Sequence, residues 1–210
     1  MGIAHSFPRL LVAWLAAGLL TGCALLRPAP DEGSGLSTDR PAQTVDGTAP
    51  LLRLPPASLG RSLALEQRIR IEARDENGAP LRRQIETLLE ADPHALRIVL
   101  LYMGQTAAVL EWDGRRLKET RSSWWPATLR GERILSELQL ALWPAEAVRT
   151  ALAEFPDGVW TLDADETGRT LRQDGEAVVQ IRYQDGIGLV ELQHLRDGYR
   201  LTIRSHSLEP

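Results

Sequence analysis

Beyond Gly60 apolar and polar side chains alternate with a period of two, run after run, with Asn-Gly or Asp-Gly pairs between the runs. Leu63, Leu65, Ile69 and Ile71 stand against Glu66, Arg68, Arg70 and Glu72; Leu81, Ile85 and Leu89 stand against Arg82, Gln84 and Glu86. Such a period describes a pleated strand with one dry and one wet face. The dipeptides at 77–78, 113–114, 174–175, 185–186 and 197–198 supply the positive φ angles of two-residue turns, which predicts antiparallel pairing of consecutive strands. Further strands are expected over 96–103, 106–112, 115–121, 159–163, 169–173, 177–183, 189–195 and 199–205.

Residues 96–103 and the start of 106–112 carry apolar side chains on both faces, which predicts strands at the centre of the sheet or beneath a lid. The turn joining them is read as Gly104-Gln105. The period changes only in mid-chain. Ile134, Leu135, Leu138 and Leu142 are spaced as one helix face, and Pro144 opens a second helix with Val148, Ala151, Leu152 and Phe155 on its apolar side. The expected fold is therefore mainly β (α+β): about five antiparallel strands, a helical pair, then about five more strands. A sheet of that width with one wet face must curl, and the inserted helices are the available cover for its concave side. The result is an open half-barrel with a central two-helix lid.

In this order of elements the chain resembles the LolA/LolB superfamily of periplasmic lipoprotein carriers and receptors, which implies an unclosed barrel over an apolar cavity. The stretch Ile134-Leu135-Ser136-Glu137-Leu138-Gln139-Leu140-Ala141-Leu142-Trp143-Pro144, with Leu59-Gly60-Arg61-Ser62-Leu63 and Trp112-Asp113-Gly114, resembles a signature of uncharacterised outer-membrane lipoproteins. Members of that family often sit in gene clusters for aryl polyene pigments, beside a LolA-like carrier and an exporter. The resemblance covers roughly residues 54–203 and brings no activity with it.

The amino end is of another kind. Arg9 precedes an apolar run over 10–20, and Leu20-Thr21-Gly22-Cys23 sets the sole cysteine after two small residues. About eleven apolar residues are too few to cross a bilayer, so the pattern describes a secretory signal. The tetrad resembles a lipoprotein lipobox, which implies cleavage between Gly22 and Cys23 and lipid attachment to the Cys23 sulfur. With Ala24 next in line, the sorting rule of such lipoproteins implies the periplasmic face of the outer membrane. The alternative is an ordinary signal peptide with an incidental cysteine. Residues 24–56 are rich in Pro, Gly, Ser, Thr and Asp, and such a stretch cannot bury enough apolar surface to offset its ordering entropy. The expected division is a signal peptide at 1–22, a lipidated cysteine and flexible tether at 23–56, and the half-barrel at 57–210. The apolar Leu51-Leu52-Arg53-Leu54 end of the tether is suited to dock on the domain.

The formal charge of −4 becomes −5 when Arg9 leaves with the signal, a balance that argues against nucleic acid as a partner. Nucleophile elbows, zinc helices, phosphate loops and dinucleotide fingerprints are absent from the sequence, and Asp163-Ala-Asp-Glu166 lacks the spacing of a calcium loop. No catalytic residue, metal or cofactor is expected. Flat indoles can line a groove for an extended acyl or polyene chain, so Trp124, Trp125, Trp112 and Trp143 are candidate ligand contacts, with sealing of the barrel as the alternative reading. Arg97 stands in an apolar strand and needs either a ligand head group or a carboxylate such as Glu111 or Glu119 beside it.

Three functional classes are weighed. One is a membrane-anchored, periplasm-facing receptor for a hydrophobic small molecule or lipid, working with a LolA-like carrier or an exporter. Another is a non-catalytic docking or scaffold subunit of an envelope export system. A third, an envelope enzyme, has no catalytic constellation in its favour.

Overall fold

The structure is a computed structural model that describes residues 49–208 except 76, 127 and 128; Gly22 and Cys23, and with them the lipidation and cleavage expectations, lie outside the described residues. An extended strap from Ala49 leads through a 3-10 turn at Pro56–Leu59 into the first meander: β1 (Leu63–Arg74), β2 (Pro80–Ala91), β3 (Leu96–Tyr102), β4 (Gln105–Trp112) and β5 (Leu117–Arg121). Helices α1 (Gly131–Leu142) and α2 (Ala145–Leu152) follow. The second meander is β6 (Trp160–Ala164), β7 (Gly168–Gln173), β8 (Glu176–Tyr183), β9 (Leu189–His194) and β10 (Tyr199–Ser207).

All ten strands form one antiparallel sheet in the order β5-β4-β3-β2-β1-β10-β9-β8-β7-β6. The meanders are zipped together by β1 against β10, with Leu65 opposite Ser207, Ile69 opposite Ile203 and Glu72 opposite Arg200. The two edge strands, β5 and β6, are therefore neighbours in sequence, and only the helices connect them.

That topology requires the sheet to curl. Nine gaps of about 4.8 Å would hold β5 and β6 about 43 Å apart in a flat sheet, whereas twelve residues of α1 reach about 18 Å. Yet α1 begins against Leu110 of β4 and Glu119 of β5, both packed around Gly131. It ends against β7 and β8, where Arg169 Nη1 donates to Leu140 O at 2.6 Å and Tyr183 Oη donates to Ala141 O at 2.7 Å. The helix thus runs across the inner face from one arm of the sheet to the other. The chain is mainly β, with an open curled sheet and a helical pair inserted in mid-chain, as the alternation predicts.

The inner face carries Leu65, Leu89, Leu96, Ile98, Leu100 and Leu110 from the first meander and Leu171, Val179, Ile181, Val190 and Leu192 from the second. Leu135, Leu140, Val148 and Leu152 of the helices close over them. At the seam the apolar row is broken by Gln67, which donates to Ser205 Oγ at 2.9 Å and accepts from Thr87 Oγ1 at 3.1 Å. All three side chains are buried, so each needs a hydrogen-bond partner, and each finds one inside the row. Arg149 of α2 donates to Leu162 O of β6 at 3.0 Å, occupying a carbonyl of an edge strand.

Three local expectations are corrected. First, of the two places expected for β3 and β4 the centre is wrong and the lid right: they are third and second from one edge of the sheet, and the strap and α1 cover their inner side. Second, the turn between them is Met103-Gly104, with φ of 50° and 74°, one residue earlier than Gly104-Gln105. Third, of the expected two-residue turns only Asp174-Gly175 has both residues at positive φ, 51° and 85°. Around the others the loops are longer; at two of them a backbone carbonyl accepts an N–H, Asp185 O from Gly188 and His194 O from Gly198, and at the other two an aspartate Oδ1 collects backbone N–H groups, Asp75 from Asn77 and Ala79 and Asp113 from Arg115 and Arg116. Asp92 and Asp165 do the same without a following glycine. Aspartate closes these turns with its side chain. Gly168, after Asp165, is fixed by close approach: a Cβ there would lie 2.4 Å from Ile181 O.

Candidate functional site

The residues proposed as ligand contacts fall into three places. Trp124 and Trp125 stand together where the chain leaves β5, their rings 6.4 Å apart and edge to face. Trp124 also meets Tyr102, at the end of β3, at 6.1 Å. Trp125 is buried, with its Nε1 lacking a partner among the described residues, while Trp124 is 46% exposed and Met103, at the hairpin tip beside Tyr102, is 85% exposed. A groove of about 340 Å³ runs past this corner between Leu101–Gly104 and Arg82, Arg83, Gln84 and Glu86 of β2. Apolar side chains project here beside two guanidinium groups, of which Arg82 lies 3.5 Å from Glu72, and the carboxylate of Glu86 lines the groove as well.

Trp112 and Trp143 lie elsewhere, clamping the strap. Trp112 Nε1 donates to Leu54 O at 2.8 Å, and Trp143 Nε1 donates to Ser58 Oγ at 3.1 Å and to Pro55 O at 3.3 Å. Helix α1 holds the same segment. Ser136 Oγ accepts from Leu52 N and donates to Pro50 O, both at 2.9 Å, while Gln139 accepts from Leu54 N and donates to Leu54 O. Leu52 and Leu54 are buried between these contacts. The docking expected of residues 51–54 is therefore realised, and the two indoles serve it. Arg97 is on the outer face, 3.8 Å from Glu111, which also holds Lys118 at 2.8 Å. A carboxylate answers its charge, and the guanidinium does not face the inner side.

A further cluster was not among the sequence candidates. Arg133 and Glu137, one turn apart on α1, meet His194, Asp197 and Tyr199 at the end of β9 and the start of β10. Arg133 Nη1 lies 3.1 Å from Asp197 Oδ2. His194, 1% exposed, stacks on the Tyr199 ring at 5.1 Å. Its Nδ1 accepts from Asp197 N at 3.1 Å, and its Nε2 lies between Arg133 Nη1 at 3.2 Å and Asp197 Oδ2 at 3.4 Å. Tyr199 Oη donates to Glu137 Oε1. Burial pushes the Glu137 carboxyl up to about 7, against the lowering effect of Tyr199 and Arg133. Burial also pulls His194 down to about 4, with Arg133 and Arg196 adding to the effect and Asp197 opposing it. Desolvation and the Glu137 carboxyl raise the Tyr199 phenol. The cluster thus comprises one ion pair, Arg133–Asp197, beside a neutral His194 ring and a Glu137 carboxyl whose ionisation is opposed by burial. It contains no activated nucleophile, and its chemistry is that of a polar latch between lid and sheet.

His194 stands at an inward position of its strand and Glu137 one helical turn from Arg133. Those two periods are the only sequence signals for the cluster, because nothing local ties a helix to a hairpin some sixty residues away.

Among the described residues no group of three or more His, Cys, Asp or Glu side chains is arranged to hold a metal ion, and no helix is long and apolar enough to cross a membrane. No curated protein matches the chain. A family model described as "Protein of unknown function (DUF3261)" matches residues 64–207, from the second residue of β1 to the last of β10. With two thirds of its length inside that match, the chain belongs to this family of unknown function.

Proposed function

We propose that this protein is a lipid-anchored receptor on the periplasmic face of the outer membrane that accepts a hydrophobic molecule bearing a polar or acidic head. The observation that carries the reading is the exposed corner of Met103, Trp124 and Tyr102 beside Arg82 and Arg83. Exposed aromatic and thioether side chains adapt to a flat or flexible apolar partner, and the adjacent guanidinium groups suit an acidic head. The curled, unclosed sheet roofed by helices supports kinship with the LolA/LolB superfamily. Anchoring would come from lipid on Cys23 and reach from the intervening residues. A LolA-like carrier or an exporter would supply the cargo.

The test is titration of the full-length protein with a fluorescent conjugated polyene fatty acid. Saturable binding is expected, with quenching of tryptophan emission and an affinity about tenfold lower in Trp124→Ala, the loss of one good aromatic contact of about 1.4 kcal/mol. Absence of saturable uptake would reject the reading. The docking-subunit reading has its own support: beneath the lid the inner face is filled, with Trp143, Val148, Leu135 and Leu152 at or near zero exposure. It would take over if the probe failed to bind.

A further inference from the structure

The outer face of the sheet carries an arginine surface that the β1–β10 seam assembles. On β1, Gln67 reaches its buried partners on the inner side, so by alternation Arg68, Arg70 and Glu72 point outward. Across the ladder to β2, Glu86 stands opposite Arg68, Gln84 opposite Arg70 and Arg82 opposite Glu72. Across the ladder to β10, Arg204 stands opposite Arg68, Thr202 opposite Arg70 and Arg200 opposite Glu72. These three rows hold five arginines and two glutamates, and all five arginines are exposed. The excess ends beyond them. Glu191 of β9 lies opposite Thr202 and Arg182 of β8, while Glu66 and Glu90 take the outward positions nearer the other end of β1 and β2.

The β1–β2 hairpin nearly neutralises itself, with Arg68 4.0 Å from Glu86 and Arg82 3.5 Å from Glu72. Strand β10 contains no acidic residue and sets Arg204 directly against Arg68. Like charges facing each other across a ladder are destabilising. Among the described residues no carboxylate lies within 4.0 Å of Arg70, Arg200 or Arg204. A chain of net charge −4 thus gathers cations on one face. Their position is also particular, because β1 and β10 are the fifth and sixth of the ten strands and the helices occupy the concave side. The arginines therefore stand on the crown of the convex back, the part of the sheet that a flat body meets first.

We propose that this crown docks on an anionic lipid bilayer, with the guanidinium groups of Arg68, Arg70, Arg200 and Arg204 on lipid phosphates. Guanidinium groups bind phosphate oxygens two at a time, and each basic side chain near an anionic leaflet strengthens adsorption about fivefold. A plane of phosphates supplies the anions that the facing pair Arg68 and Arg204 lacks. Docking in this way turns the helical lid away from the bilayer.

In the experiment the full-length protein is bound to vesicles of phosphatidylcholine alone, or of phosphatidylcholine and phosphatidylglycerol in equal parts, and treated with phenylglyoxal; modification of each arginine is followed by mass spectrometry. Neither the cargo nor the lipid anchor decides the outcome, because an anchored amino end seats itself in both kinds of vesicle. Arg68, Arg70, Arg200 and Arg204 should react at least about fivefold more slowly on the anionic vesicles, while Arg115 and Arg116, exposed between β4 and β5, keep their rates. Protection should vanish in about 1 M salt, where the screening length is about 3 Å. In the double variant Arg70→Gln/Arg204→Gln thermal unfolding should be unchanged, since neither guanidinium has a carboxylate partner, and Arg68 and Arg200 should lose most of their protection. Equal rates on both kinds of vesicle, or equal protection at Arg115 and Arg116, would overturn the proposal. Protection by soluble polyglutamate without protection by anionic vesicles would also overturn it, and would assign the crown to an acidic protein.

Discussion

Glu137, half-buried, and His194, buried, are titratable groups whose shifts run in opposite directions over the same pH range. Glu137 is raised from 4.5 to about 7, so the folded state holds its proton where the unfolded chain has lost it. Its contribution is complete below about pH 4.5 and is lost as pH rises through 7. His194 is lowered from 6.5 to about 4, so its contribution is complete above about pH 6.5 and is lost as pH falls through 4. Each alone would tilt stability by up to about 1.4 kcal/mol per pH unit; together they nearly cancel. The wild-type protein is therefore expected to show a nearly flat urea midpoint between pH 4.5 and 6.5. Glu137→Gln should make the midpoint rise with pH across that window, and His194→Gln should make it fall. Parallel profiles for all three proteins would show that the groups titrate normally. Tyr199, Arg133, Asp197 and Arg196 face the pair and are kept in both variants.

At the scale of elements, the strap and α1 depend on each other. Gln139 is fully buried, and its amide both accepts from Leu54 N and donates to Leu54 O. It acts as a strand partner for an isolated extended residue. Replacing it by Ala leaves a buried N–H and a weakened carbonyl site, at about 1–3 kcal/mol for each group left unsatisfied, and opens a cavity besides. Gln139→Ala should lower stability by about 2–4 kcal/mol. Amide exchange at Leu54 should then accelerate far more than exchange at Leu89 of β2. Equal acceleration at both sites would mean that the strap opens only with global unfolding.

The strap also shows where sequence reading stops at this scale. Leu52 and Leu54 announce that the segment is apolar enough to dock, and they do dock. That α1 receives them through Ser136 and Gln139 was not legible, since polar residues within a helix are read as its wet side. Here the helix is covered on that side as well. The break between the helices was legible, because Pro144 cannot lie inside a helix, whereas the spacing carried the second helix on to Phe155 and α2 stops at Leu152.

On the scale of the whole molecule, β1–β10 pairing is the only ladder among the described residues that unites the two meanders. Every other ladder is between strands that follow one another in sequence. Removing residues 199–210 should therefore expose the unpaired edges of β1 and β9 in mid-sheet, and long apolar edges recruit other chains. The truncated protein is expected to associate, seen as a rise in light-scattering mass, and to lose the single cooperative unfolding transition. A monomeric truncation with one transition would show that the meanders hold together through the helices alone.

Sequence by itself determined which residues form strands, that neighbours in the chain pair antiparallel, where the helical pair interrupts them, and that the sheet must curl. These follow from periods of two and 3.6 and from turn chemistry, which are local. Only the tertiary structure decided that β1 and β10 close the two halves, that Trp112 and Trp143 clamp a strap while Trp124 faces outward, and that Arg133, Glu137, His194, Asp197 and Tyr199 meet. Each of those depends on which distant surfaces touch once the sheet has curled. Alternation places a side chain on a face but does not say what the opposite face brings to it.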